Sequence, residues 1–228
     1  MPTDSIPFRT KVTLPDGRTL PIGKLLCIGR NYAEHASEMK SDVPDEPMVF
    51  LKPASAVVRD GESVVLPPQS EDVHHEVELV AVIGRGGREI PEADALDHVA
   101  AYAVGLDMTA RDLQADAKER RHPWSVAKGF DTFAPLGPLT SADKVGDPQQ
   151  LELELTVNGE TRQKARTNRM IFPVARLVHY CSQIFTLQPG DLLYTGTPSG
   201  VGPVVERDEL KATATRCAPL HVHVTRRS

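Results

Sequence analysis

The chain has 228 residues, of which 40% are hydrophobic and 25% charged, as in a soluble globular protein and unlike a disordered or collagen-like chain. Lys and Arg number 26 against 31 Asp and Glu, and the resulting net charge of −5 argues against nucleic acid as a partner. The sequence contains no apolar run near the roughly 20 residues that span a bilayer, and its first residues lack the pattern of a signal peptide. We therefore predict a cytoplasmic protein with no membrane partner.

Short strands dominate the predicted elements of the first half of the chain. Pro15-Asp16-Gly17 is a turn signal between residues 12–14 and 18–20, so these residues predict a small hairpin. Residues 31–40 predict a helix, with Asn31 as its cap and Glu34 in a capping box. Further strands are predicted at residues 25–28, 48–51, 56–58, 64–66 and 77–83.

The second half mixes helices and strands. Asn158-Gly159 is a strong hairpin signal after the alternating residues 151–157. Helices are predicted at residues 92–101, at 110–120 with Thr109 as the cap, and from Pro173 towards Gly190; strands are predicted at 103–106 and 219–224. The three cysteines, Cys27, Cys181 and Cys217, are too widely spaced for a thiolate zinc site, and we expect them to be reduced and buried. The pattern favours one β-rich α+β domain.

Glu76 and Glu78 are the first candidate functional pair. Their spacing places both carboxylates on one face of a strand, and residues 79–83 continue as a strand buried on both faces would. Such carboxylates bind a metal, pair with Lys or Arg, or lie at a solvated edge, and the pattern leaves all three open. In contrast, Glu152 and Glu154 alternate with leucines, which predicts a solvated face.

Other polar residues have spacings that suit catalysis. His35 and Glu38 lie three apart on a predicted helix, so the carboxylate could orient the imidazole as a general base; the alternative is a solvated helix face. Asp107 follows a predicted strand and precedes a predicted helix; a ligand could bind at such a strand end, but the pattern alone favours a helix cap. Lys128 adjoins Gly129 and could reach an oxyanion, although most lysines are exposed.

Three further patterns carry weaker signals. Arg111 and Gln114 share one face of the following helix, which favours a surface position for both. Residues 195–202, TGTPSGVG, lack the glycine spacing of a phosphate loop, yet their backbone NH groups and hydroxyls could hold a small carboxylate. His221 and His223 have strand spacing for two ligands but no Cys or carboxylate cluster nearby, so we expect a solvated face.

Six segments, taken in order, resemble the fumarylacetoacetate hydrolase family, and within it the short branch of acylpyruvate hydrolases and oxaloacetate decarboxylases. The resemblance covers residues 24–204, most of the chain. The segments are GRNYAEH at 29–35, FLKP at 50–53, HHEVEL at 74–79, LDMTARD at 106–112, AKGF at 127–130 and TGTP at 195–198.

The resemblance implies a mixed β-sandwich roll with short helices and a homodimer. Residues 1–23 would form only a short N-terminal hairpin segment, and residues 24–228 a single catalytic domain. Glu76, Glu78 and Asp107 would be the ligands of Mg²⁺ or Mn²⁺. Three carboxylates are suitable ligands for a hard cation. A cation held by only three protein ligands keeps coordination positions for a 2-oxo acid substrate.

The implied reaction is hydrolysis of the C–C bond of an acylpyruvate, a 2,4-dioxo acid such as fumarylpyruvate. The metal would stabilise the pyruvate enolate that cleavage leaves, and oxaloacetate decarboxylation would pass through the same enolate. The implied roles are water activation by His35 oriented by Glu38, stabilisation of oxyanion charge by Lys128 and Gln114, and substrate binding by Thr197, Arg30 and Arg111.

Two other interpretations stay open. Related enzymes isomerise or decarboxylate dicarboxylic intermediates of aromatic catabolism, and not all of them need a water-activating His. The presence of His35 and Glu38 favours hydrolysis. A non-catalytic scaffold stabilised by metal would explain the carboxylates, but it gives no reason for Lys128 and Thr197 to occur with them.

Overall fold

The computed structural model describes residues 11–38 and 44–226. In these ranges strands outnumber helices, which confirms the prediction of a strand-rich α+β fold. The strands are β1 Lys11–Thr13, β2 Thr19–Pro21, β3 Leu25–Gly29, β4 Met48–Lys52, β5 Val57–Arg59, β6 Ser63–Leu66, β7 Val73–His75, β8 Val77–Ile83, β9 Val99–Leu106, β10 Thr109–Ala110, β11 Ala134–Leu136, β12 Thr140–Ser141, β13 Glu152–Val157, β14 Glu160–Arg166, β15 Leu192–Tyr194, β16 Gly202–Pro203, β17 Glu209–Ala214 and β18 Leu220–Arg226. The α-helices are α1 Ala33–Glu38, α2 Arg111–Glu119, α3 Ser125–Lys128, α4 Ala142–Val145 and α5 Val174–Ile184.

Two large sheets form the body of the fold. One is a mixed sheet in the order β4-β3-β15-β8-β9-β11-β5, with β12 added beside β9, and the other has the order β14-β13-β17-β18-β6. A core of buried apolar side chains lies between them, with Leu79 and Val104 from the first sheet and Leu155 and Val222 from the second. A small sheet, β10-β7-β16, lies where the chain enters β8.

Strand β8 is buried along its whole length, as the unbroken apolar run predicts. Leu79 faces the core between the sheets, whereas Val80 and Val82 face a second core on the other side. Because side chains alternate along a strand, Glu76 and Glu78 lie on the same face as Val80. The beginning of β8 therefore brings two carboxylates to the end of the second core.

The N-terminal hairpin closes this second core. β1 pairs with β2 in antiparallel register, which confirms the predicted hairpin. Val12 and Leu14 are buried in the same cluster as Leu25 and Cys27. The division between residues 1–23 and 24–228 stays a prediction.

Three local predictions are wrong. Asn31 does not cap α1, because its side-chain oxygen accepts a hydrogen bond from the Phe172 amide at 2.8 Å, while its NH₂ group donates to the carbonyls of Thr195 and Phe172. Residues 92–98 form a 3₁₀ helix and the chain from Val99 belongs to β9, whose cross-strand pairing with β8 overrides the helical pattern. Thr109 donates its hydroxyl to the Asp107 carbonyl at 3.2 Å and caps no helix.

The three cysteines differ in their exposure to solvent. Cys27 and Cys181 are buried free thiols, as expected, whereas Cys217 is partly exposed. Burial raises the pKa of both Cys181 and Cys217, to about 12 and about 11. Across the described ranges, no helix is long and apolar enough to cross a membrane.

Candidate active site

Glu76, Glu78 and Asp107 form a buried carboxylate cluster where β8 begins and β9 ends. Val77 pairs with Leu106, and the Asp107 amide donates to the Glu76 carbonyl at 2.8 Å. One carboxylate oxygen from each residue lies within 4.8 Å of the others. The solvated edge that the sequence left open for Glu76 and Glu78 is therefore wrong, and so is the helix cap that the local pattern favoured for Asp107.

Three cationic side chains contact this cluster. The Lys128 ammonium lies 2.9 Å from Glu76 Oε2 and 2.6 Å from Asp107 Oδ2. Lys52 donates to the other Asp107 oxygen, Oδ1, and Arg111 Nη2 lies 2.5 Å from Glu76 Oε1. Both lysine side chains are at most 3% exposed, so the surface position that is usual for lysine does not apply. In the described part of the chain, three carboxylates thus face three cations.

Glu78 is the carboxylate without a cation in contact. It forms no ion pair with another described residue, and its Oε2 accepts a hydrogen bond from the Gly196 amide at 2.7 Å. Burial, together with the charges of Asp107 and Glu76, raises the pKa of Glu78 well above its usual range. Burial also acts to raise the pKa of Glu76, but Lys128 and Arg111 outweigh it and hold that pKa far below its usual range.

This donor set fits a hard divalent cation. Its three buried carboxylates converge from the ends of two adjacent strands, and one of them, Glu78, forms no ion pair with a described residue. Oxygen ligands of this kind are those that Mg²⁺ and Mn²⁺ prefer. The residues present are therefore able to hold such an ion.

His35 and Glu38 lie together on α1. The His35 Nδ1 atom is 3.2 Å from Glu38 Oε2, and the imidazole is 7% exposed whereas the carboxylate is 35% exposed. Both carboxylate oxygens of Glu38 also lie 3.2 Å from the Gly200 amide, which donates to them. A solvated helix face is therefore wrong for His35, since a His on such a face would be exposed.

A cleft joins these groups. Arg30, at its edge, has a backbone φ of +58°, a left-handed conformation that costs a non-glycine residue roughly 1–3 kcal/mol. Glu38 and Asp107 do not line the cleft but contact two residues that do, His35 and Lys128. The predicted site residues that line the cleft are Arg30, His35, Glu76, Glu78, Arg111, Gln114, Lys128 and Thr197.

Arg111 and Gln114 are not surface residues. Arg111 Nη1 donates to Gln114 Oε1 at 2.8 Å, and the Gln114 side chain is buried. Because the Gln114 carbonyl oxygen is occupied by Arg111, its amide NH₂ group is the end that remains free to donate.

Several cleft residues were missed from the sequence. Phe50, Lys118 and Trp124 line the cleft without a role predicted from the sequence, and Lys52, in the same FLKP segment as Phe50, contacts Asp107 outside the cleft lining. The Lys118 ammonium lies 5.3 Å from the centre of the Trp124 ring. Partial burial and then the charges of Arg111 and Arg30 lower the pKa of Lys118, so several cations converge on this end of the cleft.

Residues 24–225 match the family described as fumarylacetoacetate (FAA) hydrolase C-terminal. The chain therefore belongs to the fumarylacetoacetate hydrolase family, whose members are enzymes, and the resemblance drawn from its six segments is confirmed.

Three relatives of this chain are named for different activities. The chain is similar to oxaloacetate tautomerase FAHD1, mitochondrial, of Arabidopsis thaliana, with 49% identity over 204 residues that cover 90% of this chain and 92% of that protein. A fumarylpyruvate hydrolase from Pseudomonas aeruginosa, solved in complex with Mn²⁺ and pyruvate, is similar with a TM-score of 0.89 and 43% identity, over 95% of this chain and 96% of that one. A 5-carboxymethyl-2-hydroxymuconate delta-isomerase from Mycobacterium smegmatis is similar with a TM-score of 0.83 and 35% identity, over 96% and 98%.

Proposed function

We propose that this protein is a metal-dependent hydrolase of acylpyruvates, with fumarylpyruvate as a candidate substrate. The observation that carries the proposal is that His35, in contact with Glu38, lines the same cleft as Glu76 and Glu78, the two carboxylates that converge with Asp107. The similarity to a fumarylpyruvate hydrolase supports the choice of substrate. The cytoplasmic homodimer predicted from the sequence remains part of the proposal.

The metal site is the first part of the mechanism. Glu76, Glu78 and Asp107 would hold Mg²⁺ or Mn²⁺, and the Mn²⁺ in the similar hydrolase structure supports such an ion. When bound, the ion would act as a Lewis acid towards a 2-oxo acid. Lys52 fixes one oxygen of Asp107 and Lys128 the other, so the carboxylate plane is held before any ligand arrives.

His35 would supply the base. A carboxylate only accepts hydrogen bonds, so the contact with Glu38 places the imidazole proton on Nδ1 and leaves Nε2 as the basic atom. Nε2 would take a proton from water while the water oxygen attacks the distal carbonyl carbon of the substrate. The Gly200 amide, which donates to Glu38, keeps that carboxylate in place.

Cleavage then moves charge towards the pyruvate unit. The bond between the acyl carbon and the pyruvate methylene breaks, its electron pair stays with pyruvate as an enolate, and the acyl group leaves as a carboxylic acid. The free NH₂ group of Gln114 and the remaining proton of the Lys128 ammonium would stabilise oxyanion charge. Thr197, Arg30 and Arg111 would bind the substrate, and protonation of the enolate gives pyruvate.

A second candidate is conversion of oxaloacetate. The Arabidopsis relative is named an oxaloacetate tautomerase, and enol–keto exchange or decarboxylation of oxaloacetate uses the same enolate chemistry without an attacking water. The isomerase relative keeps open a dicarboxylic substrate of aromatic catabolism. Neither alternative needs His35 to activate water, and this difference separates them from hydrolysis.

The test compares fumarylpyruvate, acetylpyruvate and oxaloacetate as substrates, with Mg²⁺ and with EDTA. We expect metal-dependent loss of acylpyruvate absorbance, and a fall of at least about a hundredfold in His35→Ala, the lower range for a general base. His221→Ala, on an exposed strand position, is the matched control and should keep the wild-type rate. Near wild-type hydrolysis by His35→Ala, or turnover of oxaloacetate alone, would overturn the proposal.

A further inference from the structure

Gln163 is a buried carboxamide on a strand whose neighbouring residues are exposed. It is 1% exposed, whereas Arg162 and Lys164 on either side face solvent. The register between β13 and β14 shifts at this point: Thr156 pairs with Thr161, but Leu155 pairs with Gln163. A β-bulge at Arg162 thus turns Gln163 to the buried face that Leu155 occupies, where its carboxamide contacts Thr197.

The orientation of this carboxamide is fixed by two partners whose roles are unambiguous. The Val77 amide donates to Gln163 Oε1 at 3.0 Å, and Gln163 Nε2 donates to the Pro198 carbonyl at 2.9 Å. An amide NH can only donate and a carbonyl can only accept, so the oxygen and nitrogen ends cannot be exchanged. The His75 contact at 3.0 Å then requires that Nδ1 of that imidazole carries the proton.

The same logic fixes the hydroxyl of Thr197. Gln163 Nε2 lies 2.8 Å from Thr197 Oγ1, and because Nε2 is a donor, the hydroxyl accepts in this contact. The hydroxyl proton must therefore point elsewhere. Thr197 lines the cleft, and within the described residues its proton has no protein acceptor.

We infer that Gln163 is a positioning residue that makes Thr197 a dedicated hydrogen-bond donor for the carboxylate of a 2-oxo acid. The inference rests on the proposed function, which brings that carboxylate to Thr197. Gln163 itself lies outside the cleft lining and acts through Thr197. Without the Nε2 donor, the hydroxyl could turn towards the protein instead of the ligand.

The loop of residues 196–200, which contains Thr197, packs closely against β14 and so preserves this geometry. Gly200, with φ +94°, packs against β14 so closely that a Cβ would lie 2.2 Å from the Arg162 carbonyl oxygen. At the other end of the loop, the Gly196 amide donates to Glu78. The bulge and the glycines together hold Thr197 between the carboxylate cluster and Gln163.

The test measures pyruvate binding to the Mn²⁺-loaded protein by calorimetry, because pyruvate carries the carboxylate but lacks an acyl group and is not hydrolysed. Gln163→Glu replaces the donor with an acceptor, to which the Thr197 hydroxyl would donate. We expect the Kd for pyruvate to rise at least about tenfold, and similarly in Thr197→Val, since each change removes a hydrogen bond to a charged group. Thr197→Ser keeps the hydroxyl and should bind pyruvate nearly as the wild type does.

A double-mutant cycle separates this role from simple charge repulsion. In the Thr197→Val background, Gln163→Glu should raise the Kd by no more than about twofold, whereas repulsion by the new carboxylate would persist there. Gln163→Met adds no charge and provides the same comparison should the Glu variant not fold. Mn²⁺ affinity should stay unchanged, because Gln163 contacts none of the three carboxylates.

An unchanged Kd in Gln163→Glu, an equal loss in both backgrounds, or no pyruvate binding by the Mn²⁺-loaded wild type would overturn the inference. If the cycle holds but no acylpyruvate is hydrolysed, the proposed function fails while the role of Gln163 stands.

Discussion

Removing the Lys52 ammonium should destabilise the protein and make it more dependent on a divalent cation. The Lys52 side chain is 0% exposed and donates to Asp107 Oδ1, and to the Met108 carbonyl at 2.9 Å. Removing one partner of a buried ion pair costs about 3–5 kcal/mol. In Lys52→Met, Asp107 keeps Lys128 at 2.6 Å, so we expect the lower end, roughly 3 kcal/mol.

Thermal unfolding in EDTA measures this loss. A change of 1 kcal/mol moves the midpoint by roughly 2–4 °C in a protein of this size, so Lys52→Met should melt about 6–12 °C below the wild type. Mn²⁺ should raise the midpoint more in the variant, because the ion replaces a positive charge that the cluster has lost. Lys164→Met is the control: Lys164 pairs with Glu154 at 2.9 Å on an exposed surface, and we expect no measurable change.

Two results would refute this reasoning. One is a Lys52→Met midpoint within about 2 °C of the wild type in EDTA, which would mean that the ion pair contributes little beyond its desolvation penalty. The other is an equal rise of the unfolding midpoint with Mn²⁺ in the wild type and in Lys52→Met, which would mean that the ion and the Lys52 ammonium do not act on the same charge.

Two further substitutions test the ligands and the loop. Glu76→Ala should abolish metal-dependent turnover and Mn²⁺ binding in equilibrium dialysis, since it removes one of three carboxylates; stoichiometric Mn²⁺ in this variant would contradict the ligand assignment. Gly196→Ala should be more destabilising in urea than Gly61→Ala, because its Cβ would lie 2.6 Å from that of Asn31, whereas Gly61 faces open space. Both glycines have a positive φ, for which Ala costs about 1–2 kcal/mol. An equal loss of stability in the two variants would show that the structure around residue 196 shifts to relieve the crowding.

The sequence predicts the central strand of the fold well, because the signal is local. The unbroken apolar run at residues 79–83 indicates burial on both faces, and β8 has it. The spacing of Glu76 and Glu78 then places two carboxylates on one face. Asp107 joins them only through the pairing of β8 with β9, which local patterns do not contain, so the pattern alone favoured a cap.

Long-range contacts explain most of what was missed. Asn31 satisfies its carboxamide with partners 141 and 164 residues away, and no local pattern distinguishes that from a helix cap. Regular pairing from the Asn158-Gly159 turn would place Gln163 opposite Glu154, on the solvated face. The bulge shifts the register by one residue and turns Gln163 inward, so its role is visible only in the folded chain.

The balance of three carboxylates and three cations in the described cluster also bears on how the ion is acquired. Cations that pair with buried carboxylates before an ion arrives would let the chain fold first and load a metal afterwards, unlike small domains that fold only around zinc. Carboxylate ligands discriminate weakly among Mg²⁺, Mn²⁺ and neighbouring ions, so cellular supply would decide which ion is inserted. We therefore expect preparations from hosts grown in different trace-metal media to differ in metal content while sharing one fold.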